Sequence, residues 1–247
     1  MAGALTGKVA LVTGASRGIG RAIAERLAQD GAMVVVNYAQ SEDAARQVVQ
    51  TIKARGGQAD AAQADMSRLA DVRGLFAQAL AQHGRLDILV NNAGTAHFAP
   101  LLDVTEADFD RQFALNTKGA FFAMQEAARV MADGGRIVNI SSGVTQAGGM
   151  NASVYAGSKA ALEQFTLALS REVGARGMTV NTVSPGMTQT DLLNRVVPPD
   201  VQAQRMEQAP LGRLGQPNDI ADIVAFVVSE QARWLTGQNI RATGGAL

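Results

Sequence analysis

Tyr155 and Lys159 carry side chains that can exchange a proton, and they stand four residues apart. On a helix this spacing places both side chains on the same face. A free phenol ionises near pH ~10, and a nearby ammonium favours the phenolate and lowers that pKa. The pair could therefore act as an acid or a base near neutral pH. A solvated surface pair is the alternative, because interacting pairs at this spacing are common on helices.

Ser142 stands thirteen residues before Tyr155, just behind the apolar run Ile137–Ile140. If that run is a strand of a parallel sheet, Ser142 lies at its carboxyl end, where such sheets bind ligands. Its hydroxyl could then hold a substrate oxygen. A turn or helix-cap serine is the alternative, and Ser141 is the nearest competitor for the same role.

Asn116 interrupts an apolar stripe between Phe113 and Ala120. A buried carboxamide is costly unless it is hydrogen-bonded, so a satisfied core asparagine is one interpretation. The residue pattern around Asn116 does not by itself assign it a chemical role.

Three glycines follow the first strand-like run, Val9–Val12, within the segment from Thr13 to Gly20. Glycine permits a tight turn and lets a phosphate approach the backbone, and the following helix presents unpaired N–H groups at its N-terminus. A plain strand–helix turn is the alternative, but such a turn would not need three glycines. The segment therefore predicts a dinucleotide phosphate site formed by Gly14, Ser16, Arg17, Gly18, Ile19 and Gly20.

Composition excludes several classes of protein. The 22 basic and 22 acidic residues balance, which argues against a nucleic-acid partner. The chain has no cysteine, so disulfides, thiolate metal sites and a cysteine nucleophile are excluded, and two histidines make a metal centre unexpected. No apolar run is long enough to span a bilayer, and no targeting segment is visible. We therefore expect a cytoplasmic protein without a membrane partner.

The elements that must position these residues alternate between short β-rich runs and helical patterns, which predicts a parallel sheet built by right-handed crossovers. No linker or repeat divides residues 1–247, so a single domain is expected. The irregular, proline-punctuated stretch around 187–210 predicts a lid over the substrate. The predicted strands are Val9–Val12, Met33–Val36, Gln58–Gln63, Ile88–Val90, Ile137–Ile140, Thr179–Val183 and Asn239–Ala242.

The order of these motifs resembles the short-chain dehydrogenase/reductase family. The glycine spacing is Gly-x-x-x-Gly-x-Gly rather than the usual Gly-x-Gly-x-x-Gly of dinucleotide folds. The other matching features are Asp65 after the third strand, Asn91-Asn92-Ala93-Gly94 after the fourth, Ser142 after the fifth, Tyr155 and Lys159 as Tyr-x-x-x-Lys, and Pro185-Gly186 after the sixth. The resemblance covers essentially the whole chain and is most similar to the branch of 3-oxoacyl-acyl-carrier-protein reductases and ketone reductases.

The resemblance implies an α/β, single-domain, Rossmann-type doubly wound fold, with an approximately seven-stranded parallel sheet and helices on both faces. It also implies a catalytic tetrad of Asn116, Ser142, Tyr155 and Lys159. Ser142 and Tyr155 would bind the carbonyl oxygen, and Lys159 would hold the ribose and tune Tyr155. Asn116 would bend its helix and hold a water in a proton relay. The implied cofactor contacts further along the chain are Asp65, Met66, Asn92, Ala93, Gly94, Tyr155, Lys159, Pro185, Gly186 and Thr188.

The choice between NADP and NAD depends on the end of the second strand. NAD enzymes usually place an acid there for the ribose 2′-hydroxyl. The position is occupied by Asn37, followed by Tyr38, and Ser41 could offer a donor. Arg17 could pair with a 2′-phosphate, although a solvated loop arginine is the alternative. The sequence therefore predicts NADP(H).

These features together predict an NADP(H)-dependent oxidoreductase that reduces a ketone or a 3-oxoacyl carbonyl to a secondary alcohol. The alternatives are an NAD-dependent alcohol or sugar dehydrogenase and a non-catalytic nucleotide-binding protein. Asp133 stands where the resemblance implies a basic residue in a carrier-protein reductase, although Arg176 remains, so Asp133 argues against docking of an acidic acyl-carrier protein. A small carbonyl or alcohol substrate is the expected partner. The resemblance also implies a homotetramer paired through the predicted helices 105–131 and 152–173.

Overall fold

Seven parallel strands form the one sheet of the computed structural model, which describes residues 3–246. Each predicted strand is confirmed, and four of them extend further than the apolar runs suggested. The strands are β1 (Val9–Val12), β2 (Met33–Tyr38), β3 (Gln58–Gln63), β4 (Ile88–Asn91), β5 (Arg136–Ile140), β6 (Thr179–Pro185) and β7 (Asn239–Ala242).

The spatial order of the strands is β3-β2-β1-β4-β5-β6-β7. The chain therefore winds outward in one direction from β1 to β3 and in the other from β4 to β7. The order reverses between β1 and β4, and ligands bind beyond the carboxyl ends of the strands at such a switch point.

Helices cover both faces of the sheet. One apolar layer lies between the sheet and α1, α2 and α10, and the second lies under α3, α5 and α7. This arrangement confirms the predicted doubly wound, single-domain fold. The helices are α1 (Gly18–Gln29), α2 (Glu42–Ala54), α3 (Leu69–His83), α4 (Glu106–Phe113), α5 (Ala120–Val130), α6 (Val144–Ala147), α7 (Ser153–Val173), α8 (Asp191–Val196), α9 (Pro199–Gln208) and α10 (Pro217–Val228). Short 3-10 turns occur at Leu101–Asp103, Gly174–Arg176 and Glu230–Ala232.

The predicted helix 105–131 is not one uniform helix. A π-helical turn, Ala114–Gly119, separates α4 from α5. Such turns widen a helix locally and often mark functional sites. Gly119 ends the turn against the backbone of Met66, where a Cβ would lie 2.0 Å from the Met66 carbonyl oxygen. The predicted helix 152–173, by contrast, agrees with α7 to within one residue.

The stretch around 187–210 contains two short helices, α8 and α9, where the sequence suggested irregular chain. Neither helix has a buried residue. The two ends of the stretch are joined, because the Gln189 N–H donates to the Gly215 carbonyl at 2.8 Å and the Gly215 N–H donates to Met187 at 2.9 Å. Within residues 3–246, no helix combines the length and apolarity needed to cross a membrane.

Candidate active site

A cavity of about 1170 Å³ opens beyond the carboxyl ends of the strands. It collects residues from both halves of the sheet, as the reversal of strand order requires. Of the site residues named from the sequence, all except Asn116 line this cavity. The lining residues named from the sequence are Gly14, Ser16, Arg17, Gly18, Ile19, Gly20, Asn37, Tyr38, Ser41, Asp65, Met66, Asn92, Ala93, Gly94, Ser142, Tyr155, Lys159, Pro185, Gly186 and Thr188.

Tyr155 and Lys159 lie in the first two turns of α7. Lys159 is 4% exposed, and its ammonium donates to the Ile140 carbonyl at the end of β5 at 2.8 Å. The Ser142 hydroxyl and the Tyr155 phenol line the same cavity. Phe98 meets the Tyr155 ring edge-on, with the ring centroids 5.5 Å apart. Sequence reasoning missed Phe98, because no local motif marks the loop that carries it.

Burial changes the acid–base properties expected of this pair. Burial raises the pKa of the Tyr155 phenol, and the neighbouring Ser142 hydroxyl only partly opposes that shift. Burial also lowers the pKa of Lys159 to about 8. The expectation that the ammonium lowers the phenol's pKa is therefore wrong for this structure, because desolvation dominates and the ammonium is directed to a carbonyl. Tyr155 is neutral at pH 7 and keeps its proton available for donation.

Ser142, rather than Ser141, faces the cavity alongside Tyr155. Ser141 also touches the cavity wall but is 4% exposed. Its hydroxyl is turned toward α7, where it donates to Glu163 at 2.8 Å and lies 3.2 Å from the Lys159 carbonyl. The structure therefore favours Ser142 as the substrate-facing hydroxyl.

Asn116 is fully buried in the π-helical turn, beneath the cavity. Its carboxamide accepts from the Thr95 N–H at 2.8 Å, donates to the Thr95 carbonyl at 2.9 Å, and donates to the Ser158 hydroxyl at 3.0 Å. These bonds link the loop after β4 to α7. They use both the oxygen and the nitrogen of the carboxamide, so Asn116 is a buried asparagine whose polar atoms are hydrogen-bonded. Asn116 also lies in the π-helical turn, where its helix is distorted as expected.

Gly94 explains how Asn116 and Lys159 come together. A Cβ on Gly94 would lie 3.1 Å from the Lys159 nitrogen and 3.2 Å from Asn116 Oδ1. Both contacts are tighter than ordinary packing allows. A side chain at position 94 would therefore displace the polar groups beneath the cavity.

The glycine loop is shaped by close approaches as well as by its turn. Gly14 and Gly18 have φ values of 60° and 55°, in the region that favours glycine. A Cβ on Gly20 would lie 2.5 Å from the Gly14 carbonyl oxygen. Asn92 ties this loop to the one after β4, since its amide donates to the Thr13 and Gly14 carbonyls at 2.9 and 3.0 Å. No side chain caps the start of the helix that begins at Gly18. Its first N–H groups are therefore available to an anion in the cavity.

Asn37 lines the cavity, but the polar atoms of its side chain are bonded within the protein. Its oxygen accepts from the Gly14 N–H at 3.1 Å, and its amide donates to the Ala62 and Ala64 carbonyls at 3.3 and 3.1 Å. Asn37 is 1% exposed, so it holds the glycine loop to the second and third strands. The side chain at the mouth is instead Arg17, whose guanidinium donates to the Ser41 hydroxyl at 3.3 Å.

Asp65 lines the cavity with a carboxylate that its own turn already occupies. Oδ1 accepts from the N–H and the hydroxyl of Ser67 at 2.9 and 2.7 Å. Asp65 therefore shapes the wall beyond β3.

No group of three or more potential ligands among His, Cys, Asp and Glu could hold a metal ion within residues 3–246.

Comparison with known proteins identifies the relatives of this chain. A family model described as Enoyl-(Acyl carrier protein) reductase matches residues 14–246. The chain is 48% identical to an uncharacterized oxidoreductase of Methylorubrum extorquens, with 98% of each chain covered. It is 44% identical to the hydroxynaphthalene reductase-like protein Arp2 of Metarhizium brunneum, covering 98% of this chain and 96% of that one.

A solved structure of similar sequence is the angucycline C-6 ketoreductase LanV with bound NADP. The two chains are 46% identical and superpose with a TM-score of 0.94, covering 99% of this chain and 97% of LanV. The similarity therefore extends over the glycine loop, the strand ends and α7 alike.

Replacing Lys159 by methionine tests the burial of the ammonium. Because burial lowers the pKa of Lys159 to about 8 from 10.5, the folded protein holds a costly charge below pH 8. That cost declines as the pH rises from 8 to 10.5, where the unfolded chain binds more protons than the folded one. We expect Lys159→Met to raise the free energy of unfolding at pH 7, by a quantity on the order of 3 kcal/mol.

The measurement is urea denaturation between pH 6 and pH 10.5, without cofactor, and the gain should shrink toward zero across the upper half of that range. Lys53→Met, at an exposed lysine of α2, is the matched control and should give no comparable pH-dependent gain. A Lys159→Met protein that is less stable than the parent at pH 7 would contradict the assignment.

Proposed function

The chain belongs to the short-chain dehydrogenase/reductase family, and on that premise we propose that it is an NADP(H)-dependent ketoreductase that converts a ketone to a secondary alcohol. The observation that carries the proposal is a half-buried, neutral Tyr155 phenol that lines the same cavity as the Ser142 hydroxyl and the glycine loop. Two hydroxyls of this kind suit a carbonyl oxygen, which accepts two hydrogen bonds.

The residues present fit a dinucleotide. Gly14 and Gly20 leave no room for a Cβ beside the backbone, and the uncapped start of α1 offers N–H groups to a pyrophosphate. Lys159 lines the cavity, and its ammonium has three protons, of which one is directed to the Ile140 carbonyl. The other protons could be donated to ribose hydroxyls. When bound, the nicotinamide supplies the hydride.

In this mechanism the chain's own residues bind the carbonyl and move one proton. Ser142 and Tyr155 donate hydrogen bonds to the substrate oxygen, which aligns and polarises the carbonyl. As negative charge develops on that oxygen, Tyr155 transfers its phenolic proton to it, and the alcohol forms. The raised pKa of Tyr155 suits this direction, because the phenol holds its proton until the alkoxide appears.

Planar aromatic ketones are the substrate class that we favour. Relatives of this chain include an angucycline ketoreductase and a hydroxynaphthalene reductase-like protein. The cavity wall beside Tyr155 offers Phe98, with Leu192 and Val196 on the lid side. Apolar and aromatic walls bury flat rings effectively.

Docking of an acyl-carrier protein receives little support. Arg176, the remaining basic residue of the expected docking surface, pairs with Asp133 at 2.8 Å. Its guanidinium also donates to the carbonyls of Ala128 and Met131. A side chain held in this way cannot also serve an acidic partner without breaking those bonds.

A homotetramer is proposed from the exposed aromatic surface of α4, α5 and α7. Phe109 and Phe121 are 44% and 40% exposed. Phe121, Phe122 and Phe165 line a shallow apolar groove across these helices. Burying such a surface against a second copy would remove it from water.

Tyr155→Phe tests the proton donor. The phenylalanine ring preserves the packing against Phe98, but the proton is lost, so we expect kcat to fall at least ~100-fold. The dissociation constant of NADPH, followed by cofactor fluorescence, should change by less than about threefold, since removing a group used only in the transition state spares ground-state binding.

The assay for this variant uses a panel of aromatic ketones, aliphatic ketones, acyl thioesters and enones, with product analysis to separate C=O from C=C reduction. A variant that retains more than about a tenth of the parent kcat would refute Tyr155 as the acid. Reduction of the enone C=C bond alone would refute the ketoreductase assignment.

Arg17→Gln tests the choice of NADP. Tyr38, Ala39 and Gln40 line this part of the cavity without an acidic group, and Arg17 stands beside Ser41. We expect KM for NADPH to rise roughly tenfold while KM for NADH changes little, because a charge-assisted bond to a phosphate contributes about 1.5–3 kcal/mol.

Arg21→Gln is the control for Arg17→Gln, since Arg21 lies in the first turn of α1, just after Arg17, but pairs with Glu25 at 2.7 Å. Steady-state kinetics with both cofactors give the answer. If both KM values move together, or if the parent protein prefers NADH, an NAD-dependent dehydrogenase becomes the better assignment.

The segment 187–210 is proposed to be a lid that sets substrate choice. Its helices have no buried residue, its stems are joined at Gly215, and Thr190 stands over the glycine loop at Gly18. A helix pair packed permanently on the core is the alternative. Closure over the substrate would exclude water from the reacting groups.

We expect hydrogen exchange within 190–210 to slow when NADP is added. Leu192→Ala and Val196→Ala should change the ranking of kcat/KM among ketones of different size while sparing the affinity for NADPH, because both side chains line the cavity. Gln204→Ala, at an exposed position of α9, is the control. Unchanged exchange together with an unchanged ranking would leave the segment as a static part of the wall.

A further inference from the structure

Glu163 is a carboxylate near the catalytic residues that the proposed reaction does not use. It lies on α7, two turns after Tyr155 and one after Lys159, and is only partly exposed. Its Oε1 atom accepts hydrogen bonds from the hydroxyls of Ser141 and Thr145, at 2.8 and 2.7 Å. Both donors belong to the segment between β5 and α7, which carries Ser142 and contains the single turn of α6.

Thr145 connects Glu163 to the backbone of Ser142. The Thr145 hydroxyl lies 2.9 Å from the Ser142 carbonyl oxygen, and the Thr145 N–H donates to the same oxygen at 3.2 Å. On its other side the segment is held to β6, because the Gly143 N–H donates to the Pro185 carbonyl at 2.8 Å. The position of Ser142 therefore depends on contacts with α7 as well as with the sheet.

We propose that Glu163 is a positioning residue that clamps the 141–145 segment to α7 and so holds the Ser142 hydroxyl on the cavity wall that it shares with the Tyr155 phenol. This inference rests on the proposed ketoreductase function. The clamp joins the two donors of the reaction to one rigid element, since Tyr155 and Glu163 share a helix. Acceptor geometry explains why a carboxylate serves here: an ionised carboxylate has no proton of its own, so both hydroxyl protons point toward it.

The geometry predicts a specific kinetic effect. A catalytic group displaced by about 1 Å can lose up to ~100-fold in rate while substrate and cofactor still bind. Loss of the clamp would move Ser142 relative to Tyr155, but it would leave the glycine loop untouched. We therefore expect kcat to fall about tenfold or more in Thr145→Val and in Glu163→Ala, with KM for NADPH within about twofold of the parent value.

Three comparisons separate positioning from general damage. Glu163→Gln should restore most of the activity lost in Glu163→Ala, because the amide oxygen still accepts both hydroxyl protons. The double variant Thr145→Val with Glu163→Ala should be little worse than either single variant, because both remove the same link. Glu172→Ala, at an exposed acid of the same helix, should behave as the parent.

An independent readout does not need turnover. The chain has only two tyrosines, Tyr38 and Tyr155, so ¹³Cζ-tyrosine labelling gives two NMR resonances that Tyr38→Phe assigns. Thr145→Val changes no charge, yet it should shift the Tyr155 resonance toward its position in Ser142→Ala, because both changes take the Ser142 hydroxyl away from its place on the cavity wall shared with the phenol.

An unshifted Tyr155 resonance in Thr145→Val overturns the clamp, and so does an unchanged kcat in both single variants. A rate loss in Glu163→Ala that glutamine does not restore also overturns it. If the parent protein reduces no ketone, the proposed function fails, while the NMR comparison still decides whether the clamp holds Ser142 beside Tyr155.

Discussion

The hydrogen bond from the Lys159 ammonium to the Ile140 carbonyl, at 2.8 Å, is the interaction on which the active site depends. It brings a charge into a buried position, where desolvation opposes ionisation and lowers the pKa of Lys159 to about 8. It also fixes the first turns of α7 to the end of β5. The cavity, the phenol and the serine are all arranged around that contact between a helix and a strand end.

Several neighbouring features follow from accommodating this ammonium. Gly94 leaves room for the ammonium, because a Cβ there would lie 3.1 Å from the Lys159 nitrogen and would crowd it. Asn116 satisfies the backbone of Thr95 in the same place, and the π-helical turn brings its carboxamide to Ser158.

Beneath them a chain of buried polar groups ties α7 to the sheet. Asn91 donates to Asn139 at 2.9 Å, Asn139 donates to Thr166 at 2.8 Å, and the Thr166 and Thr182 hydroxyls lie 2.7 Å apart. Such a network specifies one position of the helix along the sheet, whereas purely apolar contacts would tolerate several positions.

The same desolvation determines which direction of proton transfer the free site favours. Burial disfavours the charged form of both Tyr155 and Lys159, so the phenol is neutral and the ammonium is readily deprotonated. A neutral phenol is the form that donates to a developing alkoxide. The cofactor loop complements this arrangement, since the uncapped N-terminus of α1 offers N–H groups to the phosphates at the far side of the cavity.

The sequence by itself predicted the seven strands, and all but one of the site residues that it indicated line the cavity. This was possible because strand ends in a parallel sheet meet at one edge, so motifs that follow strands must converge there.

The features that only the tertiary structure decided are side-chain directions and environments. Asn37 follows the expected strand, yet its amide is turned inward to the glycine loop and β3, because their backbone groups need partners there. The spacing of Tyr155 and Lys159 predicted contact between phenol and ammonium, but burial and the Ile140 carbonyl reversed the expected shift in the phenol's pKa. Glu163 carries no motif at all, because its partners Ser141 and Thr145 lie about twenty residues away and meet it only after α7 packs on β5. Local sequence specifies where the chain turns and which face is apolar, whereas desolvation and hydrogen-bond partners are set by atoms that come together only in the folded protein.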